Sequence, residues 1–113
     1  MAQTRFSGPV ASDNGFIAGT GATVTAVLKA SATIDFTSIS ANTTSDSSGI
    51  TVTGAVAGDP VIVGVPATLA AGLVVTGYVS AADTVKVRAA NVTASPIDPV
   101  SGTFTVTVIK TVV

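Results

Sequence analysis

The sequence predicts an all-β protein. The chain contains 19 Val and 18 Thr against 3 Leu and no Glu, a balance that favours strands over helices. Apolar and polar residues alternate in short segments, and turn signals separate these segments every ~8 to 12 residues. A length of 113 residues suits one domain. These observations predict an antiparallel β-sandwich, jelly-roll-like in preference to immunoglobulin-like because an extended arm leads into it.

The first 21 residues differ in composition from the rest of the chain. They are rich in Gly, Ser and polar turn formers, so we expect residues 1–21 to form an extended N-terminal arm and residues 22–113 to form the sandwich domain. Asp13-Asn14-Gly15 is a strong turn signal, since Asn and Gly tolerate positive φ angles. The turn should separate short extended pieces at 6–10 and 16–18.

Alternation continues through the domain in segments of strand length. It predicts strands at 22–29, 32–37, 50–54, 61–65, 73–80, 84–90 and 101–110. The fully apolar segment 61–65 suits a strand buried on both faces or placed in the middle of a sheet. The polar segment 40–49 is predicted to be a loop, and 66–72 a single helical turn that ends at Gly72. Asp83 should lie in the turn between two strands.

Charge is scarce in this chain, and that limits its partners. Charged residues make up 10% of the sequence, against roughly 25% in ordinary soluble domains, and the net charge is −1. Such a surface protects a lone monomer poorly against association, which suggests that a partner covers much of it. The five basic residues are scattered, so no nucleic-acid interface is predicted. The longest apolar tract, 61–75, contains Pro66 and is shorter than the ~20 residues of a membrane span.

The residue types exclude most catalytic chemistry. The absence of His, Cys and Glu removes Ser/His/Asp and Cys/His arrangements and zinc sites with His or Cys ligands. Five of the six Asp residues fall in predicted turns, and Asp35 alternates outward beside Ile34 and Phe36. Calcium is the better polar candidate, since residues 12–15 and 43–49 supply Asp, Ser and Asn oxygens, but neither segment matches the ligand spacing of an EF-hand loop. We therefore predict no enzyme activity, no catalytic residue, no cofactor and no metal site, with an Asp-pair glycosidase as the enzymatic alternative.

Two surface features have simple structural interpretations. Lys86 and Arg88 share a strand face with Thr84, which predicts a solvent face with edge-protecting charge rather than an anion-binding strip. Asn42 and Asn91 each begin an Asn-X-Thr glycosylation pattern. We interpret both patterns as accidental products of a Thr-rich sequence.

The arm carries the residues that best suggest a binding role. Large apolar side chains on a Gly- and Ser-rich arm either fold back onto the domain or insert into a partner, and anchoring aromatics are typical of interface hot spots. The sequence leaves these two alternatives open for Phe6 and Phe16. The candidate partner-binding residues are Arg5, Phe6, Ser7, Gly8, Pro9 and Phe16.

Residues 49–110 resemble a module of structural proteins from tailed bacteriophages. The resemblance rests on "VTGAVAGDPVIVG", "GLVVTGYVSAADTVKVR" and "IDPVSGTFTVTV", and the N-terminal "RFSGPVASDNGF" is similar to the start of small phage proteins encoded near the major capsid protein. The resemblance implies a virion structural protein, a capsid decoration (cement) protein in particular. The same module also occurs on tail and fibre proteins, which is the alternative location.

The resemblance further implies a mechanical role without catalytic residues. Copies of the chain would lie on the outer surface of the phage head, with the major capsid protein as partner, and the arm around Arg5 to Pro9 would extend onto a neighbouring subunit. Phage decoration proteins are often trimers, so a homo-oligomer is expected, with a trimer favoured. The other alternative, a carbohydrate-binding module, is weakened by the absence of Trp and the presence of a single Tyr.

Overall fold

The computed structural model describes residues 2–112, and these residues form two antiparallel β-sheets and no helix. The predicted arm (1–21) begins with Met1 and the predicted domain (22–113) ends with Val113, and these two residues lie outside the described range. The strands are β1 (Phe16–Ile17), β2 (Thr23–Ile34), β3 (Thr44–Asp46), β4 (Ile50–Thr51), β5 (Val61–Gly64), β6 (Leu73–Ala81), β7 (Thr84–Asn91) and β8 (Gly102–Val112). The predicted all-β class is confirmed, and the arrangement is consistent with a β-sandwich.

The first sheet has the strand order β1-β2-β8-β5. Its centre is the long antiparallel pair of β2 and β8, the last strand of the chain. β1 pairs only with the start of β2, through Phe16 opposite Val24 and Ile17 opposite Thr23. β5 pairs with β8 on the other side. The N-terminal and C-terminal parts of the chain are therefore joined at the middle of one sheet.

The second sheet is built around β7. β6 pairs with β7 along its whole length, and the short strands β3 and β4 pair with opposite ends of the remaining edge of β7. β7 is thus a central strand, and the predicted edge-protecting role of Lys86 and Arg88 is wrong. Their side chains do lie on the face of β7 opposite the buried Val85 and Val87, as the alternation predicts.

The core lies between the two sheets and is built from the inward-facing positions of both. β7 contributes Val85, Val87 and Ala89, and β8 contributes Phe104, Val106 and Val108, all buried. Phe36 and Phe104 meet edge to face, with their ring centroids 6.0 Å apart and their planes at 87°. Apolar burial of this kind is the main stabilising contribution to a domain with few charges.

Several element boundaries differ from the predictions. The strand expected at 22–29 and the first half of the one expected at 32–37 form the single strand β2, because β8 pairs with it without interruption from Ala26 to Ile34. Residues 35–37 lie beyond the end of the strand. The loop expected at 40–49 contains β3, which pairs with β7. The helical turn expected at 66–72 is a non-helical turn in which the Leu69 amide donates to the Pro66 carbonyl at 3.0 Å, and Gly72 has a φ of 92°.

The apolar segment 61–65 also differs from its predicted position. β5 is the edge strand of the first sheet, and Val61 and Val63 pack against the core while Ile62 is 57% exposed. A purely apolar strand therefore lies at an edge with one face in solvent. By contrast, Asp83 lies in the two-residue turn between β6 and β7 as predicted, with a φ of 61°.

A buried amide organises the connection after β7. Asn91 is 1% exposed, and its side-chain nitrogen donates to the carbonyl oxygens of Ile39 at 2.9 Å and Ser95 at 2.8 Å. Its side-chain oxygen accepts hydrogen bonds from the backbone and hydroxyl of Thr93. All of these polar atoms are satisfied, as burial requires. An amide held in this way is inaccessible for glycosylation in the folded protein, in agreement with the interpretation of that pattern as accidental.

Candidate functional site

The arm projects from the sheets with its side chains in solvent. Residues 2–14 are exposed throughout, including Phe6 at 69% and Val10 at 64%. The guanidinium of Arg5 contacts the side-chain oxygen of Gln3 at 3.4 Å, which is an interaction within the arm. Phe6 therefore does not fold back onto the domain, and the arm offers both an aromatic and a cationic side chain for contact.

A tight turn at 12–15 joins the arm to the first sheet. The Gly15 amide donates to the Ser12 carbonyl, and the Ser12 hydroxyl donates to the Gly15 carbonyl at 2.6 Å. Gly15 has a φ of 87°, and a Cβ at this position would lie 2.1 Å from the carbonyl oxygen of Val24. Only glycine fits such a close approach at this φ. The predicted turn is confirmed, and it holds Gly15 close to the backbone of Val24 at the start of β2.

An apolar patch lies where the arm meets the first sheet. Val10, Phe16, Val24 and Val27 line one shallow cleft of about 210 Å³ between the arm and the outer face of β2. Phe16 in β1 is 59% exposed, and Val27 is 61% exposed. We call these four residues the arm-base patch. A group of exposed aromatic and branched side chains is the composition expected of a binding site rather than of a solvated face.

The structure brings only one of the candidate binding residues into this patch. Phe16 belongs to it, while Phe6 and Arg5 lie further out on the arm with Ser7, Gly8 and Pro9. Sequence reasoning missed Val10 and Val27. Val27 could have been found, because the alternation of β2 places it on the outward face with Thr25 and Lys29.

A polar cluster lies on the outer face of the second sheet. Arg88 donates two hydrogen bonds to the carboxylate of Asp46, at 2.7 and 3.0 Å, and the Tyr78 hydroxyl donates to the same carboxylate at 2.6 Å. The Arg88 guanidinium also lies over the Tyr78 ring, 4.6 Å from its centroid. The cluster connects the three neighbouring strands β3, β7 and β6.

The charges of Asp46 and Arg88 are compensated within this cluster by their mutual hydrogen bonds. The hydrogen bonds from Arg88 and Tyr78 lower the pKa of Asp46 from 3.8 to about 2, and the hydrogen bond to Asp46 raises the pKa of Tyr78. A carboxyl group with so low a pKa cannot act as a general acid near neutral pH. Because Arg88 covers the Tyr78 ring, one face of that ring is not free to stack on a sugar. The cluster therefore holds the strands β3, β7 and β6 together through side-chain contacts.

The remaining acidic residues do not assemble into a cation site. Asp59 accepts a hydrogen bond from Lys110 at 2.6 Å and from the Val56 amide at 3.0 Å, and the lysine contact lowers the pKa of that carboxyl. Asp83 accepts from the Gly54 amide at 2.7 Å. Among residues 2–112, no three acidic side chains come together in a way that could hold a metal ion. No helix in that range could cross a membrane.

The chain is an all-β protein with an arm whose large apolar side chains, Phe6 and Val10, are exposed. Comparison of the chain with protein-family models, curated proteins and solved structures found no match in any of the three. The arm, the arm-base patch and the resemblance of residues 49–110 are therefore the observations that bear on function.

Proposed function

We propose that this protein is a non-enzymatic structural protein of a tailed-phage virion, a capsid decoration (cement) protein that binds the outer surface of the head. Its partner is the major capsid protein. The resemblance of residues 49–110 to phage structural modules suggests this role. Within it, we propose the jelly-roll-like form of the sandwich in preference to the immunoglobulin-like one, because an extended arm leads into the domain.

The observation that carries the proposal is the exposure of the arm. Phe6, Val10 and Phe16 are each more than half exposed, and the arm lies outside the packed core. Exposing three large apolar side chains costs solubility unless a partner covers them. Aromatic and arginine side chains are also the residues that contribute most at protein interfaces. Arg5 and Phe6 are adjacent on the arm and supply both.

The mechanism is mechanical bridging. The arm binds one capsid subunit while the arm-base patch and the body contact its neighbour, so that shell opening has to break both contacts. A ligand that binds the assembled lattice and not its separate subunits stabilises the lattice by mass action. Two linked contacts also reinforce each other through effective concentration. The Thr-rich outer faces of the sheets favour this role, because they present few charges that would have to be desolvated.

The binding test compares arm variants on isolated heads that lack this protein. We expect deletion of residues 2–10 to abolish measurable binding and Phe6→Ser to weaken it by about thirtyfold, the loss typical of a hot-spot aromatic. Val100→Ser is the matched control, since Val100 is 65% exposed and lies outside the arm. It should bind like the wild type. Unchanged binding after the deletion would contradict the role of the arm.

The copy number of the chain in purified virions tests its location. We expect quantitative mass spectrometry to find one copy for every one to few copies of the major capsid protein, as a lattice-wide decoration requires. A handful of copies per particle would favour the alternative of a vertex, tail or fibre protein. Absence from virions would overturn the virion role altogether.

A further inference from the structure

The strand β2 has a long edge that no other strand of the described chain covers. β8 pairs with one side of β2 from Thr23 to Ile34, whereas β1 covers the other side only at Thr23 and Val24. Residues 25–34 therefore have an open side with respect to every strand in residues 2–112. An open edge of this length is a template for pairing with another chain, and natural proteins normally shorten, charge or cover it.

The charges along this edge are one lysine and one aspartate. Lys29 lies in β2, and Asp35 follows the last residue of the strand, where the alternation continues into the buried Phe36. Both are odd-numbered and exposed, so both lie on the outward face. Neither takes part in the ion pairs within residues 2–112, which join Arg88 to Asp46 and Lys110 to Asp59.

The spacing of these two charges makes the edge complementary to itself. In an antiparallel pair of two β2 strands centred on Ala32, residue 29 of each copy lies opposite residue 35 of the other, and the symmetry repeats the contact. The same register places Ser31 opposite Thr33 on the outward face. A register centred on Lys29 would place two lysines opposite each other, and a shift by an odd number of residues would oppose inward and outward faces.

The surroundings of the edge favour the same arrangement. Asp98 lines a cleft of about 440 Å³ together with Asp35, so a lysine from a second copy would approach two carboxylates. A second cleft, of about 340 Å³, runs between residues 32–37 and 45–50 at the same side of the sheets. A strand added to β2 would cover its opening. The residues at the centre of the edge, Ala30 to Ala32, are small and allow close approach.

We propose that two copies of this chain associate through antiparallel pairing of their β2 edges about Ala32, with reciprocal contacts between Lys29 and Asp35. The two first sheets then form one continuous sheet across a twofold axis. An isologous contact of this kind closes after two copies, so the proposal differs from the trimer implied by the resemblance. It does not depend on the arm or on capsid binding, and the arm remains free in the dimer.

Charge reversal tests the pairing. Each of the two single variants, Lys29→Asp and Asp35→Lys, places like charges opposite each other at both symmetry-related contacts. We expect each variant to raise the dimer dissociation constant at least about tenfold. Analytical ultracentrifugation at low salt measures this constant. The double variant Lys29→Asp/Asp35→Lys restores both contacts and should return to within about threefold of the wild type. Lys86→Asp, on the other sheet, changes the net charge by the same amount as Lys29→Asp and is the matched control for that variant.

Mixing the two single variants gives a sharper test. One variant then carries two acids on its edge and the other carries two lysines, so a heterodimer regains both opposite-charge contacts, and we expect it to form at concentrations where each variant alone is monomeric. In the wild type, the backbone amides of 29–35 that point away from β8 should exchange more slowly with solvent hydrogen as protein concentration rises. A wild-type monomer at about 100 µM, or a trimer insensitive to these substitutions, would overturn the proposal.

Discussion

At the scale of single residues, four of the eleven charged side chains form two ion pairs within residues 2–112. Arg88 and Asp46 lie 42 positions apart in the chain, yet their side chains form a bidentate pair that Tyr78 completes. Bidentate geometry is the arrangement in which a partly exposed ion pair contributes most. The pair holds the short strand β3 against β7 at a place where β3 offers only three residues of backbone pairing.

The lowered pKa of Asp46 predicts a dependence of stability on pH. Because its folded-state pKa of about 2 lies below the ordinary value of 3.8, its stabilising contribution is complete above about pH 5 and is lost as pH falls toward 2. We expect Asp46→Asn to lower the midpoint of thermal unfolding at pH 7 by about 2–4 °C and to reduce the further loss between pH 5 and pH 2. Calorimetry across this range measures both.

Asp13→Asn is the control for this prediction, because Asp13 lies in the arm turn and outside the two salt bridges of the described chain. Its unfolding curves should follow those of the wild type. An Asp46→Asn variant with the same acid sensitivity as the wild type would show that the ion pair does not contribute to folding.

At the scale of the elements, the two sheets pack closely against each other where β5 meets β6. Gly77 lies in β6 on the side that faces the first sheet, and a Cβ there would lie 2.6 Å from Val63 and 2.8 Å from Val61. The missing side chain allows both valines to pack into the core. A small residue at one position thus sets the spacing between the sheets.

This close approach predicts a large difference between two similar substitutions. Gly77→Ala should lower the free energy of unfolding by about 1–3 kcal/mol, the cost of overpacking a closed interior. Gly64→Ala, in β5, should change it much less, because the nearest atom to its Cβ would be Thr105 Cβ at an ordinary 3.6 Å. Denaturant unfolding of both variants measures the contrast. Equal effects would contradict the assigned packing.

At the scale of the whole molecule, the shape of the chain is elongated. Its radius of gyration is 17.4 Å, and its principal extents are 56 × 30 × 23 Å, whereas a compact domain of this length has a radius of gyration of about 13 Å. Among residues 2–112, the fully buried core residues lie between Ile34 and Val108, and partly buried residues from Leu28 onward pack against them. The arm and the outer ends of β2 and β8 thus enlarge the molecule without adding to the core.

The arm should therefore contribute to binding and not to stability. We expect deletion of residues 2–10 to change the free energy of unfolding by less than about 0.5 kcal/mol, because these exposed residues bury no side chain. The measurement is denaturant unfolding at a fixed protein concentration, since dimerisation would otherwise shift the result. A loss of several kcal/mol would show that the arm packs on the domain, and a loss of capsid binding could then reflect unfolding.

The sequence by itself determined the fold class and most of the strands. Alternation from β6 to β8 predicted the inward positions Val85, Val87, Phe104 and Val106, because a strand with one buried face repeats every second residue. The Asp13–Gly15 turn was also predictable, since positive φ angles restrict the residue types. The sequence also indicated Phe6 and Phe16 as candidate binding residues, but it could not decide whether the arm folds back onto the domain.

Only the tertiary structure decided which strands are neighbours and which charges meet. The short strand β3 has no alternation of its own and exists because β7 supplies its partners. Arg88 was expected to protect an edge, yet its position in a central strand and its contact with Asp46 depend on pairings far apart in sequence. The same is true of the open edge of β2. Strand neighbours are set by long-range packing of the whole core, whereas local patterns specify only which face of each strand is buried.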